Sequence, residues 1–199
     1  MFILGLTGSL GMGKSTTAGF FAEAGVPVHD ADAVVHHLYE GEAAAAIESA
    51  FPGTTVAGKV DRAKLAARII GDPQALSRLE AIVHPMVREA ETRFLAAAEA
   101  RGAEVVVLNV PLLLETASDR SVDAILVVSA PADIQRRRVL ERPGMTPDKL
   151  DALLARQMAD SEKRRHADFV VDTSLGFEAA RAQVKEILRA IATMPKRRR

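Results

Sequence analysis

The sequence predicts an α/β fold built around a mostly parallel β-sheet, and three observations support this prediction. A glycine-rich segment, residues 8–15, lies between a short apolar run typical of a strand and a segment with helical pattern. Further short apolar runs follow along the chain and alternate with helical segments, which is typical of a parallel sheet. About seventy alanine-rich, helix-forming residues separate the second and third predicted strands, far more than an ordinary crossover of a dozen or so residues.

Five strands are predicted because each is a short, nearly continuous apolar run, as expected for strands buried on both faces. They span residues 2–6, 26–29, 104–108, 124–128 and 169–171. Helices are predicted at residues 15–24, 42–50, 61–70, 74–83, 85–100 and 177–194. Gly25 is expected to end the first helix, Asp61 to cap the third, and Pro85 to open a separate helix. The arginine-rich residues 131–168 are expected to form two helices with a turn between them.

Length and composition indicate an ordinary globular chain. With 199 residues, one domain, or one domain with insertions, is expected. The sheet core is predicted from residues 1–35, 103–135 and 167–194, and a helical insertion over residues 36–102 is a natural place to hold a second substrate. The alternative for this insertion is extra packing against the core.

Charge and cysteine content exclude several classes of protein. The 26 basic and 26 acidic residues give a formal net charge of +0, so no overall field attracts nucleic acid or an anionic membrane. The absence of cysteine excludes disulfides, cysteine zinc sites and thiol nucleophiles. No signal peptide is recognised and no apolar run approaches the ~20 residues of a membrane span, so a cytoplasmic protein is expected. The basic residues 196–199 are expected to form a solvated chain end.

The segment at residues 8–15, called here the glycine loop, fits the pattern Gly-x-x-x-x-Gly-Lys-Ser/Thr without a mismatch. Its glycines let backbone N–H groups face phosphate oxygens, and the start of the following helix adds partial positive charge. Lys14 would then reach the outer phosphates, and the Ser15 hydroxyl would ligate Mg²⁺. The full motif in this context favours a nucleoside triphosphate site over a glycine-rich turn that binds nothing.

Asp30 and Asp32 follow the second predicted strand, and ligands of open α/β sheets bind at the carboxyl ends of strands. One of these carboxylates could accept the proton of an attacking hydroxyl. Alternatively, Asp32 could cap a helix that begins at Ala33. The spacing does not decide between these two interpretations.

The third predicted strand carries Asn109, and Glu115 is the nearest acid downstream of it. An acidic metal ligand often follows such a strand in phosphate-loop enzymes. Since Mg²⁺ readily keeps several waters, Ser15, the phosphates and water could also hold it without Glu115. No zinc site is predicted, because the histidines show no metal-ligand spacing, and His84 beside Pro85 is more often structural than catalytic.

Arg138 and Arg142 are four residues apart and therefore share one helix face. Such a face can be a solvated basic surface, or its guanidinium groups can bind phosphate oxygens. Beside a phosphate-binding loop, a mobile basic lid over residues 136–166 is the favoured interpretation.

Together these features resemble the dephospho-coenzyme A kinase family. The resemblance covers nearly the whole chain, and its most discriminating parts are Asp-Ala-Asp after the second strand and Pro-Leu-Leu-x-Glu after the third. The matching segments are residues 5–15, 30–32, 84–85, 111–115, the arginine segment through 142, and 162–172. The family fold is a phosphate-loop kinase core with a five-stranded parallel sheet, a helical substrate-side domain and a lid.

The resemblance implies transfer of the ATP γ-phosphoryl group to the ribose 3′-hydroxyl of dephospho-coenzyme A, the last step of coenzyme A synthesis. It assigns Asp32 as the catalytic base, and it places Arg138 and Arg142 over the phosphates. The residues implied to bind ATP phosphates and Mg²⁺ are Gly11, Met12, Gly13, Lys14, Ser15 and Thr16. Those implied to line the acceptor side are His84, Pro111, Leu112, Leu113 and Glu115.

The chain departs from the family pattern at three positions. The family often has asparagine where Thr173 stands, an acid where Asn109 stands and serine where Met12 stands. We expect Met12 to contribute mainly its backbone.

Other functions remain to be weighed against this one. Another small-molecule or nucleotide kinase of the phosphate-loop class is the alternative. A regulatory GTPase would need an Asn-Lys-x-Asp segment, but Val110 follows the single asparagine, Asn109. A nucleic-acid-binding ATPase is disfavoured by the +0 charge and the 4% aromatic content. We expect a monomer that binds neither nucleic acid nor membrane.

Overall fold

The computed structural model describes residues 1–115 and 121–195, and the predicted basic end at residues 196–199 lies outside them. Five strands form one sheet in the order β2-β5-β1-β6-β7, and β3 pairs with β4 in a separate hairpin. The strands are β1 (Phe2–Thr7), β2 (Val28–Asp30), β3 (Thr55–Val56), β4 (Lys59–Val60), β5 (Val105–Asn109), β6 (Ala124–Ser129) and β7 (Phe169–Asp172). The five predicted sheet strands are therefore confirmed, with small shifts at their ends.

The central strand β1 positions the glycine loop. It is buried along its whole length and pairs in parallel with β5 on one side and β6 on the other. β7 pairs in parallel with β6, from Phe169 opposite Leu126 to Asp172 opposite Ser129. Since parallel strands end at the same edge of a sheet, the loop after β1 emerges between the ends of β5 and β6.

Helices separate the strands, as expected for an α/β chain. In the part of the chain that the structure describes they are α1 (Lys14–Glu23), α2 (Ala31–Tyr39), α3 (Ala44–Ala50), α4 (Arg62–Ile69), α5 (Pro73–Ala100), α6 (Ala132–Leu140), α7 (Pro147–Leu154), α8 (Asp160–Arg165) and α9 (Phe177–Ile191). Among the described residues, no helix has the length and apolar character that crossing a membrane requires.

The chain divides into two compact units, Met1–His29 with Ala98–Arg199, and Asp30–Ala97. Each has its own hydrophobic core. In the first unit, apolar residues of β1, β6, α1 and α9 pack together, with Leu4, Phe21 and Val184 among the most buried. In the second unit, Ile47, Leu65 and apolar residues of α5 form the core.

The predicted helix break at Pro85 is wrong, because α5 is one continuous helix of 28 residues that contains Pro85. A proline inside a helix removes one backbone hydrogen bond and crowds the preceding turn. Apolar residues on both sides of Pro85 nevertheless pack in the same cluster, with Leu79 and Val83 before it and Val87 after it. Burial of one continuous apolar face outweighs the local cost.

The β3–β4 hairpin has no counterpart among the predictions. Its two turn residues both have positive φ, 50° at Ala57 and 78° at Gly58, which matches the right-handed twist of a hairpin. The flanking strands have two residues each, too few for a hydrophobic pattern to indicate them.

Residues 131–168 contain three helices where two were expected. The predicted turn at Pro143 and Gly144 separates α6 from α7, and Thr146 caps α7 by accepting from the Lys149 N–H at 3.3 Å. The additional helix, α8, has six residues, and the Lys163 side chain on it is completely buried. A charged residue gives no apolar signal in the sequence, which is why the pattern missed this helix.

The predicted N-cap at Asp61 is confirmed, since its Oδ1 accepts from the N–H groups of Ala63 and Lys64, both at 3.1 Å. Replacing Asp61 by alanine leaves those N–H groups without this acceptor. We expect Asp61→Ala to lower the free energy of unfolding by about 1 kcal/mol. Urea denaturation measures this loss. Asp61→Asn, which keeps a capping oxygen, is the matched control, and equal stability of the alanine variant and the wild type would contradict the role of the cap.

Candidate active site

The glycine loop turns the chain from β1 into α1. Gly11 and Gly13 have φ values of 79° and 94°, a region that disfavours residues with a Cβ. A Cβ on Gly11 would also lie 2.4 Å from Val139 Cγ2 on α6. Gly13 is the N-cap of α1 and supplies no side-chain cap, and no acid lies in the first turn. This helix start therefore carries the positive end of a helix dipole without a side-chain anion.

Three side chains hold the loop from outside. Gln135 Nε2 donates to the Leu10 carbonyl at 2.8 Å, and the Leu10 N–H donates to Gln157 Oε1 at 3.0 Å. The Thr173 hydroxyl donates to the Met12 carbonyl at 2.9 Å. A carbonyl oxygen that faced the site would repel a bound phosphate. The Leu10 and Met12 carbonyls instead accept hydrogen bonds from Gln135 and Thr173.

The Met12 side chain has a structural role that was not expected. It is 1% exposed and belongs to the hydrophobic core of the first unit. The expectation that Met12 contributes mainly its backbone to a bound ligand stays a prediction, and its buried thioether side chain in addition anchors the loop in the core.

A pocket of about 340 Å³ adjoins the loop and the start of α1. It contains Gly11, Gly13 and Thr16 of the predicted nucleotide-binding set, together with both predicted arginines, Arg138 and Arg142. The loop after β7 and the start of α9 form the rest of its wall through Thr173, Ser174, Gly176, Phe177 and Ala180. The structure thus brings residues from distant parts of the sequence around one cavity.

The two arginines line the same pocket, but the prediction that they share a helix face is wrong, because α6 ends at Leu140 and Arg142 lies beyond it. They also differ in how they are held. Arg138 donates through Nη1 to the Thr173 hydroxyl and through Nη2 to the Thr173 carbonyl, both at 2.8 Å. Within residues 1–115 and 121–195, the Arg142 guanidinium makes no hydrogen bond or ion pair. One guanidinium is therefore fixed by the protein, and the other is available to a ligand.

The loop that carries Thr173 is fixed by its neighbour Asp172. The Asp172 carboxylate accepts from the Ser174 N–H at 2.8 Å. Hydrogen bonds from the Ser174 hydroxyl and N–H lower the pKa of Asp172, and the charges of Arg164 and Arg138 add to this against the effect of burial. The turn after β7 is thus stabilised by an ionised carboxylate.

Residues 111–115 are held by a buried ion pair. Glu115 Oε1 lies 2.8 Å from Lys163 Nζ, whose side chain is 0% exposed, and it also accepts from the Met158 N–H at 2.9 Å. Lys163 Nζ further donates to the Pro111 carbonyl at 3.3 Å, and the Thr7 hydroxyl donates to the same carbonyl at 3.0 Å. These bonds connect the segment after β5 with α8 and with the end of β1.

Burial alone would raise the pKa of Glu115. Hydrogen bonds from Lys163 and from the Met158 N–H outweigh this effect and lower the pKa below its ordinary value of 4.5. The carboxylate is therefore ionised at neutral pH and engaged with the protein.

Two leucines of the same segment differ in exposure. Leu112 is 41% exposed, whereas Leu113 is 1% exposed. Leu113 packs against β1, where a Cβ on Gly5 would lie 2.7 Å from Leu113 Cδ2. The Leu113 side chain is therefore part of the interior and does not offer a surface for the predicted contact with a substrate.

The structure separates the two aspartates that the spacing left equivalent. Asp30 is the N-cap of α2, and its carboxylate accepts from the Ala33 N–H at 3.0 Å. The alternative that Asp32 caps this helix is wrong, because Asp32 lies in the first turn and is exposed. His84 is an exposed residue within α5.

The residues present fit a Mg²⁺ ion that keeps most of its water. Ser15 is exposed in the first turn of α1 and offers a hydroxyl oxygen, a donor that suits this cation. Among the described residues there is no group of three or more histidine, cysteine, aspartate or glutamate side chains that could hold a metal. An ion here would depend on Ser15, phosphate oxygens and water.

Sequence reasoning missed four residues that support the site, namely Gln135, Gln157, Lys163 and Thr173. Thr173 was noticed only as a departure from the family pattern. The two glutamines carry no local signal, since each acts on the glycine loop through contacts more than a hundred residues away in sequence. Lys163 lies in the matching segment 162–172, but nothing in the sequence indicates that its side chain is buried.

A family profile and curated relatives of the chain agree on one family. The profile described as dephospho-CoA kinase matches residues 2–178 of the chain. A curated dephospho-CoA kinase of Rhodopseudomonas palustris (strain BisB18) is 66% identical over 198 residues, covering 100% of both chains. A crystal structure from Thermus thermophilus matches with a TM-score of 0.86 at 34% identity, covering 97% of this chain and 98% of that one.

A more distant structure supports the fold alone. The dephospho-CoA kinase of Campylobacter jejuni matches with a TM-score of 0.65 at 20% identity, covering 95% of this chain and 96% of that one. The phosphate-loop kinase fold predicted from the sequence is confirmed.

The lowered pKa of Glu115 predicts a pH dependence of stability. A carboxylate with a depressed folded-state pKa stabilises the protein above its ordinary value of 4.5, and this contribution is lost as pH falls through the folded-state pKa. Urea unfolding between about pH 7 and pH 3 should therefore show a smaller loss of stability for Glu115→Gln than for the wild type. Glu99→Gln, an exposed glutamate on α5, is the control and should keep the wild-type dependence. An unchanged pH dependence in Glu115→Gln would contradict this assignment.

Proposed function

The chain belongs to the dephospho-CoA kinase family, and from this premise we propose that it transfers the γ-phosphoryl group of ATP to the ribose 3′-hydroxyl of dephospho-CoA. The products are CoA and ADP, so the reaction is the final step of CoA biosynthesis. The observation that carries this proposal is the pocket shared by the glycine loop and both arginines. Another kinase of the phosphate-loop class is not favoured.

The glycine loop is proposed to bind the ATP phosphates. N–H groups of the loop and of the first turn of α1, contributed by Gly11, Met12, Gly13, Lys14, Ser15 and Thr16, would donate to phosphate oxygens. The half-buried Lys14 adds a full positive charge at the same place. Such preorganised donors stabilise charge on a transferring phosphoryl group without reorganising during the reaction.

The arginines are proposed to complete this cradle. Arg138 and Arg142 project from the α6 region into the pocket beside the loop, where guanidinium groups can bind phosphate oxygens in a bidentate manner. Residues 136–166 would act as a lid that closes over the nucleotide.

Asp32 is proposed to orient the acceptor hydroxyl and take its proton. Asp30 is occupied as the cap of α2, and Asp32 is the other carboxylate that follows β2 directly. A carboxylate hydrogen-bonded to the 3′-hydroxyl would align the oxygen for direct in-line attack, with no phospho-enzyme.

Mg²⁺ is proposed as the metal ion of the reaction, with the Ser15 hydroxyl as its protein ligand. When bound, this ion neutralises charge on the phosphate oxygens. Glu115 is engaged with Lys163, so we assign it no direct bond to the metal.

The acceptor side is proposed to include His84 and residues 111–115. Leu112 offers an exposed apolar surface, while Glu115 and the Pro111 carbonyl are held by Lys163. Leu112 is the residue of this segment proposed to contact the substrate, while Leu113 and Glu115 fix the segment from within. We further propose a monomeric cytoplasmic enzyme that does not bind nucleic acid.

The function is tested by incubating purified protein with ATP, Mg²⁺ and a panel of acceptors. ADP release should depend on dephospho-CoA, and mass spectrometry should identify CoA as the product. The Lys14→Ala variant should release almost no ADP, because the phosphate charge is then left without its lysine. Phosphorylation of a nucleoside monophosphate or a sugar acid in place of dephospho-CoA would overturn the proposal.

Asp32→Asn keeps the shape of the side chain and removes its basicity. We expect kcat to fall by about 10² or more, while the affinity for ATP stays close to that of the wild type. Steady-state kinetics and equilibrium titration with ATP measure the two quantities. Asp30→Asn keeps an oxygen that can cap α2 and serves as the matched comparison, with a much smaller loss of kcat expected. Near-full turnover by Asp32→Asn would show that the base lies elsewhere.

A further inference from the structure

Thr173 lies where the glycine loop, α6 and the end of the sheet meet. It is the first residue after β7 and is 8% exposed. Its N–H donates to the Ser129 carbonyl at 3.0 Å, which continues the pairing between β6 and β7 by one residue. The backbone that carries this side chain is therefore as firmly placed as the sheet itself.

The hydroxyl of Thr173 acts as both donor and acceptor. A hydroxyl has one hydrogen to donate, and the Met12 carbonyl at 2.9 Å is a closer acceptor than the Ser129 carbonyl at 3.4 Å. The same oxygen accepts from Arg138 Nη1 at 2.8 Å. A chain of hydrogen bonds thus runs from the Arg138 guanidinium through Thr173 to the Met12 carbonyl, and each bond polarises the next.

The methyl group of Thr173 contacts the next residue of the same loop. A Cβ placed on Gly13 would lie 3.2 Å from Thr173 Cγ2, so the methyl group fills the space beside Gly13. The hydroxyl thereby holds Met12 and the methyl group lies against Gly13, the N-cap of α1. Both branches of the side chain therefore contact residues at the start of α1, the helix that is proposed to bind the phosphates.

Arg138 is restrained by this residue at two atoms. Its Nη2 donates to the Thr173 carbonyl at 2.8 Å, in addition to the bond from Nη1 to the hydroxyl. A guanidinium held by two bonds loses little further freedom when a ligand arrives. Arg142, which lies beyond the end of α6, has no comparable bond among the residues that the structure describes.

Resting on the function proposed above, we propose that Thr173 is a positioning residue for ATP. It fixes the position of the Arg138 guanidinium relative to the Met12–Gly13 backbone, so that the arginine and the N–H groups of the loop can bind the same phosphates. Arg138 is then a preformed part of the ATP site, whereas Arg142 is ordered when the nucleotide binds.

Two pairs of variants isolate the hydroxyl. Wild type and Thr173→Val differ in that group at nearly constant shape, and Thr173→Ser and Thr173→Ala differ in it alone. We expect loss of the hydroxyl to weaken ATP binding about tenfold in each pair, because a hydrogen bond to a charged group is lost. Titration calorimetry with ATP measures this factor. The KM for dephospho-CoA should stay within about twofold of the wild type, which separates positioning of ATP from general damage to the fold.

Coupling to Arg138 supplies the second part of the test. In an Arg138→Ala background, Thr173→Val should weaken ATP binding clearly less than in the wild type, since the guanidinium that it positions is absent. Thr193→Val, at an exposed threonine near the end of α9, is the control and should leave ATP affinity unchanged.

Three results would overturn the proposal: wild-type ATP affinity in both variants that lack the hydroxyl, an equal defect in Thr173→Ser and Thr173→Ala, or fully multiplicative effects with Arg138→Ala. If the valine variant does not fold, the serine and alanine pair decides the matter alone. Activity of the wild type on dephospho-CoA in the same experiments shows separately whether the proposed function holds.

Discussion

The N–H groups of the glycine loop can face an anion only if the carbonyl groups of the same short loop are bound elsewhere. Gln135 and Thr173 donate to the carbonyls of Leu10 and Met12, and the side chain of Met12 is anchored in the core. An anion site made of backbone has no side-chain charge to enforce its shape, so the surrounding protein must do so. Helix α6, the end of β7 and the segment that carries Gln157 all contribute to this constraint.

A second constraint fixes what lies beside the loop. Lys163 is completely buried and bonds to Glu115 and to the Pro111 carbonyl, to which Thr7 also donates. A buried charge without a partner is strongly destabilising, so the pair forces the segment after β5 and helix α8 to stay together. Through Thr7 this network reaches the residue that precedes the glycine loop. The two sides of the loop are thus held by different chemistry: neutral and arginine hydrogen bonds on one side, an ion pair on the other.

These two constraints also suggest how a lid can move without disturbing the phosphate site. Arg138 is tied to the end of the sheet, and Lys163 is tied to the segment after β5. The exposed Arg142 and the turn at Pro143 and Gly144 lie between these anchored points. Since Gln157 also holds the Leu10 N–H, the closure proposed for residues 136–166 would be confined to the stretch between Arg138 and Gln157, and both of its ends would stay attached to the first unit.

The glycine loop, the five sheet strands and the Asp61 cap could all be predicted from the sequence, because each is encoded by neighbouring residues or by a short repeat. The helix face predicted for Arg138 and Arg142 could not, since α6 ends at Leu140 and only the tertiary structure brings Arg142 to the same pocket. The continuity of α5 through Pro85 could not, since it depends on packing of the residues on both sides. That Asp30 caps α2, and not Asp32 as considered from the sequence, needed the backbone geometry at Ala33. The bonds of Gln135 and Thr173 to the loop span 125 and 161 residues of sequence, and no local pattern encodes a contact between positions that only folding brings together.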